Sequence, residues 1–322
     1  MRAAQIVTLD GPAAVKIVDV DEPAAGPDQV LIDVHAAGVS FPELLMSRGL
    51  YQVKPPLPFI PGSEVAGVVR SAPEGAAVRP GDRVAAFPGF GGFAEVVATT
   101  TDRVFPLPDS LSFQAGAALP MNYLTMHFAL TRRGGLRAGE TVLVHGAAGG
   151  LGTATIQLAA ALGARVVAVT STPEKGEVAR AAGAHEVVSA DGFLDQVRKV
   201  TDGQGVDMVV DPVGGDRFTD SLRSLRTEGR LLVLGFTAGK IPEVKVNRLL
   251  LNNISVVGVA WGAFALGRPG FLHEQWNDML PLMTQGLLNP PVGSVYPLSD
   301  AAKALSELDE RRAKGKVLLA VR

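Results

Sequence analysis

The sequence predicts an α/β protein: a doubly wound parallel sheet domain set beside an antiparallel, partly barrel-shaped β domain. Three observations predict it. Strand-like and helix-like segments alternate through the middle third of the chain. Prolines crowd the rest: of 22, thirteen lie in residues 1–110 and only four in 111–268. And residues 142–152 read VLVHGAAGGLG, a run of apolar residues passing into a four-glycine turn.

Taken in order, the N-terminal third contains short β-type runs: AAQIVTL, VKIVDV, QVLIDVHAAGV, EVAGVVRSA, DRVAAF and GFAEVVA. Turn-forming DGPA, AGPD and RPGD separate them, which is the pattern of an antiparallel, partly barrel-like domain. In the middle third the expected strands are 141–146, 164–171, 186–190, 207–213, 230–236 and 254–260, and the expected helices are 150–163, 174–182, 192–201 and 216–226. Such alternation implies βαβ crossovers and a parallel sheet. After about residue 268 the prolines return, a helix is expected over 299–311, and the strand GKVLLAV is expected to rejoin the first domain.

Composition narrows the function. The 322 residues include 47% hydrophobic and 19% charged residues, an ordinary globular balance with room for two domains. A formal net charge of −2 gives no basic field, so no nucleic-acid partner is expected. The chain has no cysteine, which removes disulfides, thiolate nucleophiles and thiolate-based metal sites. Two segments free of Asp, Glu, Lys and Arg, 142–164 and 249–267, approach membrane-spanning length. Glycines at 146, 149, 150 and 152 break the first, and Asn252, Asn253 and Ser255 interrupt the second. Both suit a sheet covered on two faces, and no membrane span is expected. MRAAQIVTLDG shows no signal peptide, so the expected location is cytoplasmic.

The glycine turn carries the chemistry. Glycines between a strand and a helix permit a tight turn, let backbone amides approach a pyrophosphate, and let helix and strand pack closely. The helix N-terminus adds exposed N–H groups and partial positive charge. Aligned on Gly149 and Gly152, the first position of G-x-G-x-x-G holds Ala147, with Gly146 one residue earlier to supply the turn. Ala148, Gly149, Gly150, Leu151 and Gly152 are therefore expected to bind a dinucleotide, against the alternative of a tight turn that binds nothing. NAD sites place a carboxylate at the end of the second strand. Here that strand ends Thr170-Ser171-Thr172, followed by Pro173-Glu174-Lys175. Hydroxyls and an ammonium suit a 2′-phosphate, so Thr170, Ser171 and Lys175 point to NADP(H). The competing assignment for Lys175 is a solvated residue on a first helical turn.

Several stretches resemble one known family: AAGVSFPELLMSRGLY (36–51), PFIPGSEVAGVV (58–69), GGFAEVV (91–97), ALPMNYLTMHFAL (118–130), VLVHGAAGGLG, VDMVVDPVGG (206–215), GRLLVLGF (229–236) and GKVLLAV (315–321). In order and spacing they are similar to the zinc-independent quinone oxidoreductases, the zeta-crystallin group of the medium-chain dehydrogenase/reductase superfamily. The resemblance implies a GroES-like catalytic domain from residues 1–119 and 268–322, a Rossmann dinucleotide-binding domain from 120–267, and a homodimer paired through an edge strand, for which 254–260 is the candidate.

Zinc-dependent relatives carry a cysteine in the segment matching 38–43 and a histidine in G-H-E-x-x-G. Here Ser40 stands near the first position, and Ser63 replaces the histidine in Gly62-Ser63-Glu64-Val65-Ala66-Gly67. Serine is a poor zinc ligand, and the five histidines show no ligand spacing, so no metal is expected. Without a Lewis acid, the expected acceptors are conjugated and already activated.

The resemblance then implies the remaining site residues. Tyr51, in Arg48-Gly49-Leu50-Tyr51, is the expected donor to a quinone or enone oxygen, with a packing tyrosine as the alternative. Ser40 stands where many relatives have asparagine; the alternative is a loop hydroxyl bonding its own backbone. Asn122 and Thr125 are expected near the nicotinamide. Gly235 and Phe236, ending the fifth strand, and Val259 and Trp261, ending the sixth, are expected to face the cofactor. Phe41, Phe90 and Phe264 are candidates to line an apolar acceptor pocket, with ordinary packing as the alternative. His145 is expected to be a satisfied strand residue, and Asp211 to cap a helix, with contact to the cofactor as the alternative. The function implied is hydride transfer from NADPH to a small-molecule quinone. Two alternatives stand: reduction of activated C=C bonds in enones, alkenals or enoyl thioesters, and an NADPH-binding protein with little catalysis.

Overall fold

The computed structural model describes residues 1–322, and the chain divides into two compact units: Met1–Asn122 with Pro269–Arg322, and Tyr123–Arg268.

The first unit opens with an antiparallel pair, β1 (Arg2–Ile6) and β2 (Val15–Asp19). Then come β3 (Gln29–Val39), α1 (Phe41–Ser47), β4 (Glu64–Ser71), β5 (Arg83–Ala86), β6 (Val96–Thr100) and β7 (Val104–Pro106). In β3 the side chains of Val30, Ile32 and Val34 are buried and alternate with half-buried neighbours, the period of a strand packed on one face. Two helices, α2 (Phe113–Gly116) and α3 (Pro120–His127), end this part, and α3 passes into a π-helical turn at Phe128–Arg133.

The second unit is built on β8 (Thr141–Val144), α4 (Gly150–Ala161), β9 (Arg165–Thr170), α5 (Pro173–Ala181), β10 (Glu186–Ser189), α6 (Phe193–Val200), β11 (Val206–Asp211), α7 (Phe218–Arg223), β12 (Leu225–Val233), α8 (Asn247–Asn252), β13 (Ser255–Gly258) and α9 (Trp261–Ala265). Its six strands pair in parallel in the order β10-β9-β8-β11-β12-β13, with β13 at an edge. The order reverses between β8 and β11, and such a switch point is where open parallel sheets bind ligands. The sheet core includes Leu143, Val167, Val169, Val209 and Leu231.

Three elements in this unit, α7, β12 and β13, end earlier than expected. The helix expected over 216–226 is a 3₁₀ turn, Gly215–Arg217, followed by α7, which stops at Arg223. Ser224 Oγ donates back to Ser221 O at 2.7 Å, and Leu225 already pairs with Val206. In turn β12 ends at Val233, so Gly235 and Phe236 lie beyond the strand, and β13 ends at Gly258, so Trp261 opens α9.

The chain returns to the first unit through α10 (Phe271–Thr284), β14 (Val292–Pro297), α11 (Ala301–Asp309) and β15 (Lys316–Ala320). The sequence pattern does not reveal α10 because Pro281 lies inside it. Packing overrides the proline: Leu272, Gln275, Trp276, Met279 and Met283 form one buried face. Trp276 stacks on Phe105 with centroids 4.8 Å apart and donates its Nε1–H to Pro106 O at 3.1 Å. The first unit's main sheet runs β14-β15-β3-β4-β5-β7, with β6 also on β3. All these pairings are antiparallel except β14 with β15.

Candidate functional site

In the second unit, β8, the glycine turn, α4 and β9 form one βαβ unit around the switch point. Gly146 adopts φ 61°, a left-handed conformation that glycine takes without steric cost, so it makes the turn although Ala147 fills the motif's first position. A Cβ on Gly152 would lie 2.3 Å from Gly146 O and 2.6 Å from Ala147 C, so only glycine lets the helix approach the turn this closely. Gly149 is the N-cap, and the first helical hydrogen bond is Thr153 N–H to Gly149 O at 2.9 Å. The amides of Gly150, Leu151 and Gly152 precede it and are available to an anion. With Ala148 beside them, they suit a diphosphate.

The end of β9 adds the second feature. Thr170, its last residue, is buried, and no carboxylate stands there. Thr172 caps α5 by accepting the Lys175 N–H at 3.3 Å. Ser171 is exposed and Lys175 half-buried, on the first turn of α5. At the C-terminal end of β11, Asp211 Oδ1 accepts the N–H groups of Val213 (2.8 Å) and Gly214 (2.9 Å), a turn-capping role. His145 is buried, and its Nε2 lies 2.8 Å from Ser221 Oγ. Ser221 donates its own proton to Arg217 O at 3.0 Å, which assigns the imidazole proton to Nε2. Nδ1 is left buried and unpartnered, so the ring is only half satisfied. Burial pulls this histidine's pKa down to about 4, with Asp211 opposing and Arg217 adding to the shift.

The other expected residues of this unit lie on α3, in the loop after β12 and around the start of α9. Thr125 is half-buried on α3. Phe236 is partly exposed and Gly235 precedes it in the loop after β12. Val259 donates its N–H to Val233 O at 2.9 Å, so only its carbonyl is open to a carboxamide. Trp261 is buried. Phe264 stacks on Phe128 at 4.8 Å and carries the Arg268 guanidinium 3.7 Å above its ring, which commits it to packing as well as to any pocket.

In the first unit, Ser40 and Glu43 form a capping box, the serine side chain facing the Glu43 backbone N–H and the Glu43 carboxylate the Ser40 N–H. Ser40 is the N-cap of α1 and belongs to a buried ionic cluster. Its N–H donates to Glu43 Oε2 at 3.0 Å, and Ser63 donates to Glu43 Oε1 through both N–H (3.0 Å) and Oγ (2.5 Å). The Ser40 hydroxyl lies 3.1 Å from Glu64 Oε1 and 2.5 Å from Lys316 Nζ. Lys316 also pairs with Glu64, and both side chains are almost wholly buried, at 4% and 0% exposed. Glu64 Oε2 accepts the Met121 N–H at 2.8 Å, at the start of α3. Gly38 makes room: a Cβ there would lie 2.5 Å from Glu64 Oε1.

Tyr51 is half-buried in the same unit. Burial first, and the Glu43 carboxylate second, push its phenol above the ordinary value of 10.0, so it stays a proton donor at neutral pH. Burial also raises Glu43, against the pull of the Ser63 hydrogen bond and the Lys316 charge. Phe41 packs on the first unit's core, Phe90 is 38% exposed and meets Phe59 edge-on at 6.4 Å, and Asn122 is buried on α3.

Sequence reasoning missed Glu43, Glu64 and Lys316. The one available signal for the last is a lysine opening an otherwise apolar strand, KVLLA. The cluster does not fit a zinc ion: Ser40 and Ser63 offer neutral hydroxyls, Glu64 is already neutralised, and an ammonium sits among them. No group of three or more His, Cys, Asp or Glu side chains is placed to hold a metal. No helix is long and apolar enough to cross a membrane.

Known proteins with these features are numerous. Residues 26–109 match the alcohol dehydrogenase GroES-like domain, and residues 150–285 match the zinc-binding dehydrogenase family. Quinone oxidoreductase-like protein 2 of Rattus norvegicus is 39% identical over 325 residues, covering 100% of this chain and 92% of its own. A probable oxidoreductase from Mycobacterium abscessus superposes with a TM-score of 0.92 at 48% identity, covering 100% and 99% of the two chains. The quinone oxidoreductase of Thermus thermophilus, solved alone and as its complex with NADPH, gives 0.87 at 37% identity with both chains covered completely.

Proposed function

Because the chain belongs to the quinone oxidoreductase family of the medium-chain dehydrogenase/reductases, we propose that it reduces a small-molecule quinone with NADPH, without a metal. The observation that carries this reading is the glycine turn at a sheet switch point, followed by a β9 end that has hydroxyls and Lys175 in place of a carboxylate. When bound, NADPH supplies the hydride.

The chain's own residues do the rest. Ala148 to Gly152 surround the diphosphate, which is held by the amides of Gly150, Leu151 and Gly152 and the positive end of α4, while the Gly149 N–H closes the turn on Gly146 O at 3.0 Å. Thr170, Ser171 and Lys175 take the 2′-phosphate. Asn122, Thr125, Gly235, Phe236, Val259 and Trp261 complete the cofactor contacts. Phe41, Phe90 and Phe264 give the acceptor apolar surface. Tyr51, held protonated, donates to the acceptor oxygen as negative charge develops there, and Ser40 offers a second hydroxyl. A phenol and a hydroxyl stabilise an oxyanion less strongly than a metal, which fits acceptors activated by conjugation.

Two further parts belong to this reading. One is a cytoplasmic location. The other is a homodimer: β13 is an unpaired edge, and Ile241, Val246, Leu250 and Leu251 beside it in sequence are 71–76% exposed, an apolar surface suited to a second copy of the chain.

A panel of 1,2-naphthoquinone, alkenals and enoyl thioesters, assayed with NADPH, tests the acceptor. Turnover of the quinone is expected. Turnover confined to the C=C compounds would replace this reading with the activated-alkene one, and tight NADPH binding with no turnover would favour a binding protein.

A further inference from the structure

We infer that Lys316 is a positioning residue for the reduction step: it holds the Ser40 oxygen so that the hydroxyl's single proton serves the oxyanion that develops on the acceptor. This rests on the reading above and deepens it.

The topology brings the two residues together. In the β15–β3 ladder Val317 faces Val39, so the next antiparallel step sets Lys316 opposite Ser40. One residue before Val39, Gly38 faces Glu64 across β4 and leaves space for its carboxylate. A lysine, a glutamate and a serine, far apart in the chain, thus converge from three neighbouring strands and the start of a helix.

The hydrogen-bond inventory then fixes each role. An ammonium has donors and no lone pair, so across the 2.5 Å contact Lys316 donates and Ser40 Oγ accepts. Glu64 is satisfied without the serine: Oε1 takes Lys316 and Oε2 takes the Met121 N–H. The Ser40 proton is left on the long side of the cluster, 3.1 Å from Glu64 Oε1, where a strong bond to a carboxylate would span about 2.5–2.7 Å. This hydroxyl can turn to a ligand without leaving the Glu64 charge unpaired, because Lys316 and the Met121 N–H stay on that carboxylate. A hydroxyl that already accepts from a cation is a stronger donor, because linked hydrogen bonds polarise one another in a poorly solvated site. The ammonium therefore acts through Ser40 at the place where the zinc-dependent relatives hold a metal ligand. No bond to the serine breaks: hydride reaches the acceptor, and its anionic oxygen is met by the Ser40 O–H.

The test is steady-state kinetics with NADPH and 1,2-naphthoquinone, with NADPH affinity from cofactor fluorescence and folding from circular dichroism. S40A and K316M are each expected to lower kcat about 10- to 100-fold, at or below the usual effect of removing an oxyanion donor. NADPH Kd should stay unchanged. S40A/K316M should cost no more than either single change, because both remove one hydrogen-bond chain. K316R, which keeps the cation, should stay above K316M. K316M leaves Glu64 buried and unpaired, and E64Q/K316M removes that charge so that a folded neutral pair carries the same test. Folded E64Q/K316M with the wild-type kcat, S40A with the wild-type kcat, or losses that multiply in S40A/K316M would overturn the inference while leaving the quinone reductase reading intact. Wild-type protein that turns over no quinone would overturn that reading itself.

Discussion

Two buried residues, His145 and Glu43, tie the stability of this fold to pH in opposite senses. His145 has a folded-state pKa near 4 against an ordinary 6.5, because burial disfavours the imidazolium. A depressed value means that the unfolded chain binds the proton first. Stability is therefore complete above 6.5 and is lost as pH falls toward 4, by on the order of 3 kcal/mol from this one group. Chemical unfolding of the wild type and H145N between pH 4 and 7 checks this: the variant should show the shallower acid slope, and equal slopes would refute it. Glu43 acts in the opposite sense. Its carboxyl is raised above 4.5 by burial, so its contribution is largest below 4.5 and declines as pH rises through the raised value. Relative to E43Q, the wild type should lose thermal stability on moving from acid to neutral pH, read from Tm in the two buffers. At this scale the sequence was only partly readable. Tyr51 and Ser40 could be singled out because each sits in a recognisable local stretch. Lys316 could not, since its partner Glu64 is 252 positions away and only the β15–β3–β4 ladders bring them together.

At the scale of elements, local signals read well and long-range ones poorly. The strand, glycine turn and helix from Thr141 to Ala161 were legible because turn geometry is encoded within a dozen residues. The strand Gln29–Val39 was legible from its alternation. The helix Phe271–Thr284 was not, because Pro281 reads as a breaker and the stacking of Trp276 on Phe105 outweighs it only in the folded unit. The turn makes its own prediction. In G152A the new Cβ would lie within 2.6 Å of backbone atoms of Gly146 and Ala147. Backbone cannot yield as a side chain can, so the helix must shift away. NADPH affinity should fall at least tenfold, with a lowered Tm, whereas G262A, whose Cβ meets only the far end of Leu266 at 4.0 Å, should leave the turn and NADPH binding intact. Fluorescence titration of both variants measures the contrast.

For the whole molecule, the two-unit architecture followed from proline distribution and βα alternation, both of which are properties of long stretches and survive local misreadings. What the pattern could not display is which surfaces meet a second copy. Replacing Leu250 and Leu251 by aspartate, on a helix where neither side chain supports the core, should turn a dimer into a folded monomer in sedimentation equilibrium. An unchanged mass would assign that surface to something else. The central claim, that this chain presents an anion-binding turn and a 2′-phosphate subsite to NADPH for hydride transfer, is tested most directly by the ratio of kcat/KM for NADPH over NADH with 1,2-naphthoquinone, in the wild type and in K175A. A wild-type ratio above about ten that collapses in K175A, through loss of one phosphate–ammonium contact, is the predicted result. Equal use of both cofactors by the wild type, or a preference for NADH, would contradict it.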